Sequence, residues 1–349
     1  MKKDYRQFGI NRIPCTPDGV LRFNLFLIFL LLSLGGVGLI IFRNFTEPAS
    51  SEVGPVPEYT EPAVSKIQSE GENIKILFTG DLSMDRYIRL IAEKEGYRYI
   101  LEDMTDFLNS SDLVVANLEG PITPYDSLSA GSEVGSRENY IFTMSPAVVE
   151  VLNENNIKLV SLGNNHILNF GLDGLDHTRN YLKEGGINYF GYTGTENDNF
   201  NTYLIMDLKG KKIGFVNYNQ FTEKGLERTV ADIKKTRPEC DFLVVYAHWG
   251  EEYAQTTSSG LRSTAHSFID AGADTVIGSH PHVVQESELY SGKKIYYSLG
   301  NFVFDQYFQP ETRTGMVLEL VLDLSALTAG FLEHPVSLNL DGRTELNAR

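Results

Sequence analysis

The chain has 349 residues, 42% of them hydrophobic and 11% aromatic, so it is long enough for one large or two average globular domains. Its 30 basic residues against 46 acidic ones give a formal net charge of −16, which excludes broad nucleic-acid binding. Two cysteines, Cys15 and Cys240, exclude a disulfide framework and a thiolate metal cluster.

The N-terminal segment 1–22 carries Lys2, Lys3, Arg6, Arg12 and Arg22 against Asp4 and Asp18. An uncharged run, "FNLFLIFLLLSLGGVGLIIF", comes next at 23–42 and is long enough to cross a bilayer as a helix. It exceeds the apolar core of a cleavable signal peptide, so an uncleaved anchor is expected. Basic residues before the run and mostly acidic ones after it place the N-terminus in the cytoplasm and the remainder outside a cell membrane. Residues 43–72, rich in Pro, Glu and Ser, read as an extended linker.

From Ile74 the pattern is that of an α/β domain, expected over 73–326. "IKILFTG" is a short apolar run ending in Gly and reads as a strand. "DRYIRLIAEKEG" and "YILEDMTDFLNSSD" have helical spacing, "LVVANLEG" reads as a strand, and "SPAVVEVLNENN" opens with a Ser-Pro helix start. "IKLVSLGNN" is a strand and "GLDGLDHTRNYLKEGG" a helix closed by Gly. "TYLIMDLKGKKIGFVNYN" is a hairpin turning at Lys-Gly-Lys. The helix "GLERTVADIKKTRPE", the strand "DFLVVYAHWG", the helix "SGLRSTAHSFIDAG" and the strand "DTVIGSH" come after it. "SELYSGKKIYYSLGNF" is a second hairpin, and "GMVLELVLDL" reads as the last strand, with 327–349 a C-terminal tail. Strands alternating with helices, together with hairpins, predict mixed sheets.

The residues just past the strands carry the chemistry. "ILFTG" leads into Asp81, "LVVANLE" carries Asn117 and Glu119, "LVSLG" leads into Asn164, Asn165 and His166, "LVVYA" into His248, and "TVIGS" into His280 and His282. Five strands thus deliver acids, amides or imidazoles at their carboxyl ends, the edge that forms the ligand crevice in open α/β sheets. His280 and His282, two apart, point the same way if the chain there is extended. Asp, Glu, Asn and neutral His are ligands for a divalent metal such as Mn, Zn or Fe, and two such ions can clamp a phosphate and activate a water. The alternative is that Asp81 and Asn165 cap helices while the histidines pack. Trp249 and Tyr253 suit a substrate wall or the core, and Glu251 and Glu252 suit either partners of the imidazoles or solvated surface. Asn117, Asn301 and Asp305 lie at strand ends facing the same crevice. Arg86, Arg262 and Arg313 are the basic candidates for an anionic substrate, and His177 and His266 read as structural.

The stretches "FTGDLSMDR", "VVANLEGPIT", "SLGNNHILNFGLDGL", "AHWGEEY", "DTVIGSHPHVVQ" and "YYSLGNFVFDQ", in this order between Ile74 and Asp323, resemble the CapA family of poly-γ-glutamate capsule proteins, whose fold is similar to calcineurin-like metallophosphatases. The resemblance implies a four-layer sandwich of two mixed sheets flanked by helices. It also implies a cell-surface role in making, exporting or attaching a capsule polymer, with an anionic polymer and other capsule-synthesis membrane proteins as partners. A surface phosphoesterase or a non-catalytic binding module with a relic site are the other readings. By residue, it implies Asp81, Asn165, His248, His280 and His282 as metal ligands, Asn117 or Glu119 in place of the usual middle Asp, and His166 and Asn165 in catalysis. Ser83 stands where the family fold commonly has a His, which predicts about one ion per chain rather than two. Asn117, Trp249, Asn301 and Arg313 are the expected substrate contacts.

Overall fold

The computed structural model describes residues 73–191 and 202–347. The expected membrane span at 23–42 and linker at 43–72 lie outside the described residues.

Two mixed sheets make up the domain. In the first, β1 (Asn73–Leu82), β2 (Leu113–Leu118), β3 (Ile157–Ser161) and β4 (Asn188–Phe190) run parallel as neighbours. On the other side of β1 lie β12 (Thr314–Asp323), β13 (Ala329–Leu338) and β14 (Thr344–Leu346), all antiparallel to their neighbours. The second sheet has the order β5-β6-β7-β8-β10-β9. It contains β5 (Tyr203–Leu208), β6 (Lys211–Asn219), β7 (Phe242–His248), β8 (Thr275–Ser279), β9 (Ser287–Tyr290) and β10 (Lys293–Tyr296). A short strand, β11 (Asn301–Val303), pairs in parallel with the end of β1.

Period-two alternation explains the layering. Ile74, Ile76 and Phe78 of β1 and Val115 of β2 pack with Phe242, Val244 and Tyr246 of β7, so these residues form the core between the sheets. Their neighbours Leu77, Val114 and Ala116 turn the other way, onto α1 (Arg86–Glu95), α3 (Val148–Glu154) and α4 (Gly171–Glu184) through Ile88, Val151 and Leu175. Leu243, Val245 and Ala247 of β7 face α5 (Gly225–Thr236) and α6 (Ser259–Ala271) through Ile233, Ala265 and Phe268. The order of layers is therefore helix, sheet, sheet, helix, as expected. Both hairpins are present, with Lys209–Gly210 and Ser291–Gly292 at positive φ in their turns.

Two expectations are corrected. "YILEDMTDFLNSSD" is not one helix: a 3₁₀ stretch over Tyr97–Met104 precedes a five-residue helix, α2 (Thr105–Asn109). The segment 327–349 is not a tail. After β12 the chain turns back as β13, pairing along nearly all of it from Thr314↔Ser337 to Leu322↔Ala329, and β14 then closes the edge. The run "AGFLEHPVSL" hides this from a sequence reading, because Glu333, His334 and Pro335 interrupt the apolar pattern on a strand whose burial is confined to Val336 and Leu338.

Deleting 329–349 should therefore expose the edge of β12 and remove the packing of Val336 and Leu338, at a cost of roughly 3–6 kcal/mol. The truncated chain is expected to melt at a much lower temperature and to aggregate. An unchanged melting temperature would show that the two strands contribute nothing.

Candidate metal centre

The site begins with an irregularity in β1. The register with β2 slips between Phe78 and Asp81, and the register with β11 slips again after Asp81. Such bulges re-aim a side chain. Gly80 permits the slip: a Cβ there would lie 1.8 Å from the Gly300 carbonyl oxygen, to which the Asp81 amide donates at 3.0 Å. The Thr79 carbonyl accepts from the Tyr246 hydroxyl of the other sheet.

Asp81 then sits fully buried where the two sheets meet. Its Oδ1 accepts from Asn117 Nδ2 at 2.8 Å, and its Oδ2 accepts from the His280 backbone amide at 3.0 Å and lies 3.3 Å from His282 Nδ1. Burial alone would push this carboxyl up. The hydrogen bond and charge of His282, the charge of His248 and the Asn117 hydrogen bond outweigh it, so Asp81 is held below its ordinary range and stays ionised.

Glu119 behaves in the opposite way. Burial first, and then the charge of Asp81, push it well above the ordinary carboxylate range. Among the described residues its Oε1 has no hydrogen-bond partner, lying 3.6 Å from His282 Nε2 and 3.9 Å from His166 Nε2. These separations are too long for hydrogen bonds.

Three of the imidazoles, those of His166, His248 and His280, are held toward the neutral form. Burial, and then the charge of His282, bring His280 down to about 3. Burial likewise brings His166 down to about 4, and burial with the His280 charge holds His248 well below its ordinary value. His280 and His282 are not on extended chain as expected: their φ angles are 97° and 59°, and the turn itself converges their rings, with centroids 5.8 Å apart. Positive φ at two imidazoles with one proline between them is strain of the kind found at functional sites.

The donor inventory shows what the cluster lacks. Asn117 Nδ2 has two hydrogens, yet three acceptors surround it: Asp81 Oδ1 at 2.8 Å, His248 Nδ1 at 3.2 Å and Glu119 Oε2 at 3.3 Å. Glu119 Oε1 and His280 Nδ1 are buried with no partner among the described residues. Lone pairs outnumber donors, which is the deficit a cation fills. Glu119, His280 and His282 form one set whose ligand atoms lie within 4.8 Å of one another, and Asp81, Glu119 and His248 form a second. Glu119 belongs to both. The residues present therefore fit a divalent metal ion.

Other expected site residues fall elsewhere. Asn165 Oδ1 meets His248 Nε2 at 2.9 Å, so in this structure it orients an imidazole. Asn117 holds the carboxylates rather than facing a substrate, and Asn164 Nδ2 donates to its Oδ1 at 3.1 Å. Asn301 is buried behind the site, where its Oδ1 meets His282 Nδ1 at 2.9 Å while its amide donates to the Thr312 carbonyl. Trp249 is no substrate wall. It is 0% exposed, packs on Phe268 and Tyr297, and donates to the Tyr297 carbonyl. Arg313 ends a 3₁₀ turn with its Nε buried and, among the described residues, unpaired; it makes no hydrogen bond or ion pair to the cluster. Arg262 pairs with Glu286 and Glu288, and His266 stacks on Tyr290, away from the site.

Two contributors were not read from the sequence. Asn169 Oδ1 accepts from the Phe142 amide at 2.8 Å and meets His166 Nδ1 at 3.1 Å. The proton is thereby placed on Nδ1, leaving His166 Nε2 bare toward Glu119. Being neutral, His166 enters as a proton acceptor and not, as expected, as a ready acid. Phe221, 47% exposed, stands 4.6 Å from the His280 ring and 5.9 Å from that of His248. Asn165, Leu168, Asn219 and Phe221 line a cavity of about 390 Å³ beside these rings, within the size range of ligand sites. Phe221 lies just past the end of β6, so the strand-end rule that found the histidines also reaches it.

Residues 75–306 match the family described as bacterial capsule synthesis protein PGA_cap. The chain belongs to that family. A relative named PGA biosynthesis protein CapA, from Bacillus subtilis (strain 168), is 29% identical over 243 residues, covering 66% of this chain and 63% of the relative. The Capsule biosynthesis protein CapA of Bacillus anthracis is 28% identical over 265 residues, covering 71% of this chain and 64% of the relative. The PGA_cap chain thus spans under two thirds of the length of these curated relatives. Among solved structures, a hypothetical protein from Thermus thermophilus superposes with a TM-score of 0.47 at 17% identity, over 74% of this chain and 99% of that one.

The opposed shifts give a pH test on chelator-treated protein. The unfolded chain protonates at His166 near 6.5 while the folded one resists until about 4, so this residue costs stability as pH falls through that window, on the order of 1–3 kcal/mol in full. The folded state keeps the Glu119 proton after the unfolded chain has released it, so Glu119 costs stability as pH rises above about 4.5. Relative to wild type, His166→Gln should gain as pH falls from 6.5 to 4, and Glu119→Gln should gain as pH rises above about 4.5. Denaturant unfolding across pH checks both, and parallel profiles would refute the assignments.

Proposed function

We propose that this PGA_cap family member is a membrane-anchored protein whose domain works outside the cell membrane on an anionic capsule polymer of the poly-γ-glutamate type. In this reading it binds one divalent ion (Mn, Zn or Fe) and takes part in synthesis, export or attachment of the polymer beside other capsule-synthesis membrane proteins. The uncharged run at 23–42 with its basic N-terminal flank supports the anchor. Family membership supports the polymer, through the roles for which the relatives are named. The observation that carries the site is the buried Glu119 oxygen without a donor, facing two imidazoles, those of His282 and His166, across an unfilled hydrogen-bond inventory.

Glu119, His280 and His282 would hold the ion, with Asp81 and His248 beside them. When bound, the ion supplies Lewis acidity and lowers the pKa of a coordinated water. The chain's own residues do the rest. Asp81 stays ionised and pins the His280 turn. Asn301 fixes the His282 ring, and Asn165 fixes that of His248. His166, with its proton on Nδ1 and Nε2 bare, can take up a proton at Nε2. Phe221 covers the outer edge of His280 and limits water there. These features favour hydrolytic chemistry on an acyl or phosphoryl centre as a second reading, carried by the bare, neutral His166 Nε2.

Gently purified full-length protein should contain about one divalent ion per chain. His280→Ala should lower that content at least roughly tenfold, while His166→Ala leaves it near normal. Cells carrying His280→Ala should make little polymer. A metal-free wild type whose melting temperature ignores added Mn and Zn, or full polymer production by the His280→Ala strain, would contradict the proposal.

A further inference from the structure

Arg86 opens α1 shortly after the Asp81 strand end, and its backbone is left-handed, with φ of 50°. That conformation is uncommon for a long side chain and is kept where surroundings enforce it. The surroundings are two aromatic rings and one carboxylate. The guanidinium carbon lies 5.0 Å from the centroid of Phe142 and 5.2 Å from that of Phe304. Its Nε donates to Asp305 Oδ1 at 2.8 Å, its Nη2 pairs with the same oxygen, and the Tyr87 amide donates to Asp305 Oδ2 at 3.1 Å.

The same two rings touch the metal centre. Phe142 lies 4.3 Å from the His166 ring and Phe304 lies 5.0 Å from the His282 ring. Arg86 is thus one ring's width from two of the site's imidazoles, and its charge is felt at Glu119, His166 and Tyr253. The side chain is only 13% exposed, yet among the described residues no acceptor engages its Nη1. A flat cation packed into the corner of two rings that meet edge to face, and tied to Asp305, is pre-organised for an oxyanion, because little side-chain freedom remains to be lost on binding. Arg262, by contrast, is occupied by two glutamates, and Arg313 makes no hydrogen bond or ion pair to the cluster among the described residues.

We propose that Arg86 is the anion receptor of this site: it binds one anionic oxygen group of the substrate, a carboxylate or a phosphate, beside the metal centre, with Asp305 as the counter-ion that tempers its charge. The proposal deepens the reading of the site as one that meets an anionic polymer, and it names the group that meets it. Asp305 accepts only through oxygens that Arg86 and the Tyr87 amide already use. A substrate oxyanion would therefore engage the remaining guanidinium hydrogens rather than displace the pair.

The test titrates the full chain by calorimetry with inorganic phosphate and, separately, with a γ-linked glutamate hexamer. Wild type, Arg86→Lys, Arg86→Met and Asp305→Asn are compared, with metal content and melting temperature measured on each. Wild type should bind at least one probe, and the one it binds identifies the anion as phosphate or carboxylate. Arg86→Met should weaken that binding at least tenfold and Arg86→Lys less, with metal content unchanged. Asp305→Asn keeps an oxygen for the Tyr87 amide but removes the competing charge, and should tighten binding severalfold. A merely structural arginine would not produce that gain. The proposal is overturned if wild type binds neither probe, if folded Arg86→Met binds as wild type does, or if Asp305→Asn binds no more tightly. A wild type that binds the probe through Arg86 yet holds no metal would instead sink the metal reading and leave this one standing.

Discussion

One carboxylate ties the ends of the two sheets together at the site. Asp81 leaves the first sheet at a bulge and accepts the backbone amide of His280 from the end of the second sheet. Around that contact the strand ends of β1, β2, β3, β7 and β8 converge, and the side chains they carry become one cluster. The bulge depends on Gly80, whose missing side chain lets the Gly300 carbonyl approach, and on Tyr246, which takes up the Thr79 carbonyl. The apolar core between the sheets, with Phe78 against both Phe215 and Tyr246, sets the spacing at which this can happen.

Such a cluster is costly to build in protein alone. Two carboxyls and several imidazoles are removed from water, and buried polar groups without partners are expensive. The structure divides the burden unequally: Asp81 is ionised and fully hydrogen-bonded, while burial and the Asp81 charge force Glu119 toward its neutral form. Histidines complete a donor set that suits a divalent ion and leaves lone pairs unanswered without one. Arg86, packed against the edge-to-face pair Phe142 and Phe304, adds a positive charge beside this cluster without entering it.

Much of this was legible in the sequence because strand ends are marked twice, by an apolar run and by the abrupt change to Asp, Asn or His after it. Asp81, Glu119, His248, His280 and His282 come from that rule alone. The parts that stayed hidden depend on tertiary geometry. The convergence of His280 and His282 is made by left-handed backbone and not by extended alternation, which composition does not reveal. Trp249 comes directly after a strand-end histidine, yet its indole turns into the core under α6, because each strand alternates faces and the next residue lies on the far side. Asn301 and Asn165 have the chemistry of substrate contacts but are occupied by ring nitrogens. The strands β13 and β14 escaped because β13, with few buried positions and with Glu333 and Pro335 in its run, lacks a clear periodic signal, and β14 is only three residues long. Arg86 was one of three arginines that composition offered for an anion. Its advantage over Arg262 and Arg313 rests on two aromatic residues far from it in sequence, and no local pattern announces it.

The central claim is that Glu119, a buried carboxyl that burial and the Asp81 charge push toward its neutral form, is a ligand for a cation. Calorimetric titration of Zn or Mn into chelator-treated full-length protein, repeated near neutral pH in buffers of different ionisation enthalpy, counts the protons displaced per ion. The account predicts release of about one proton for each ion bound, because the Glu119 carboxyl must ionise to coordinate. Binding with no proton released, or no binding at all, would contradict it.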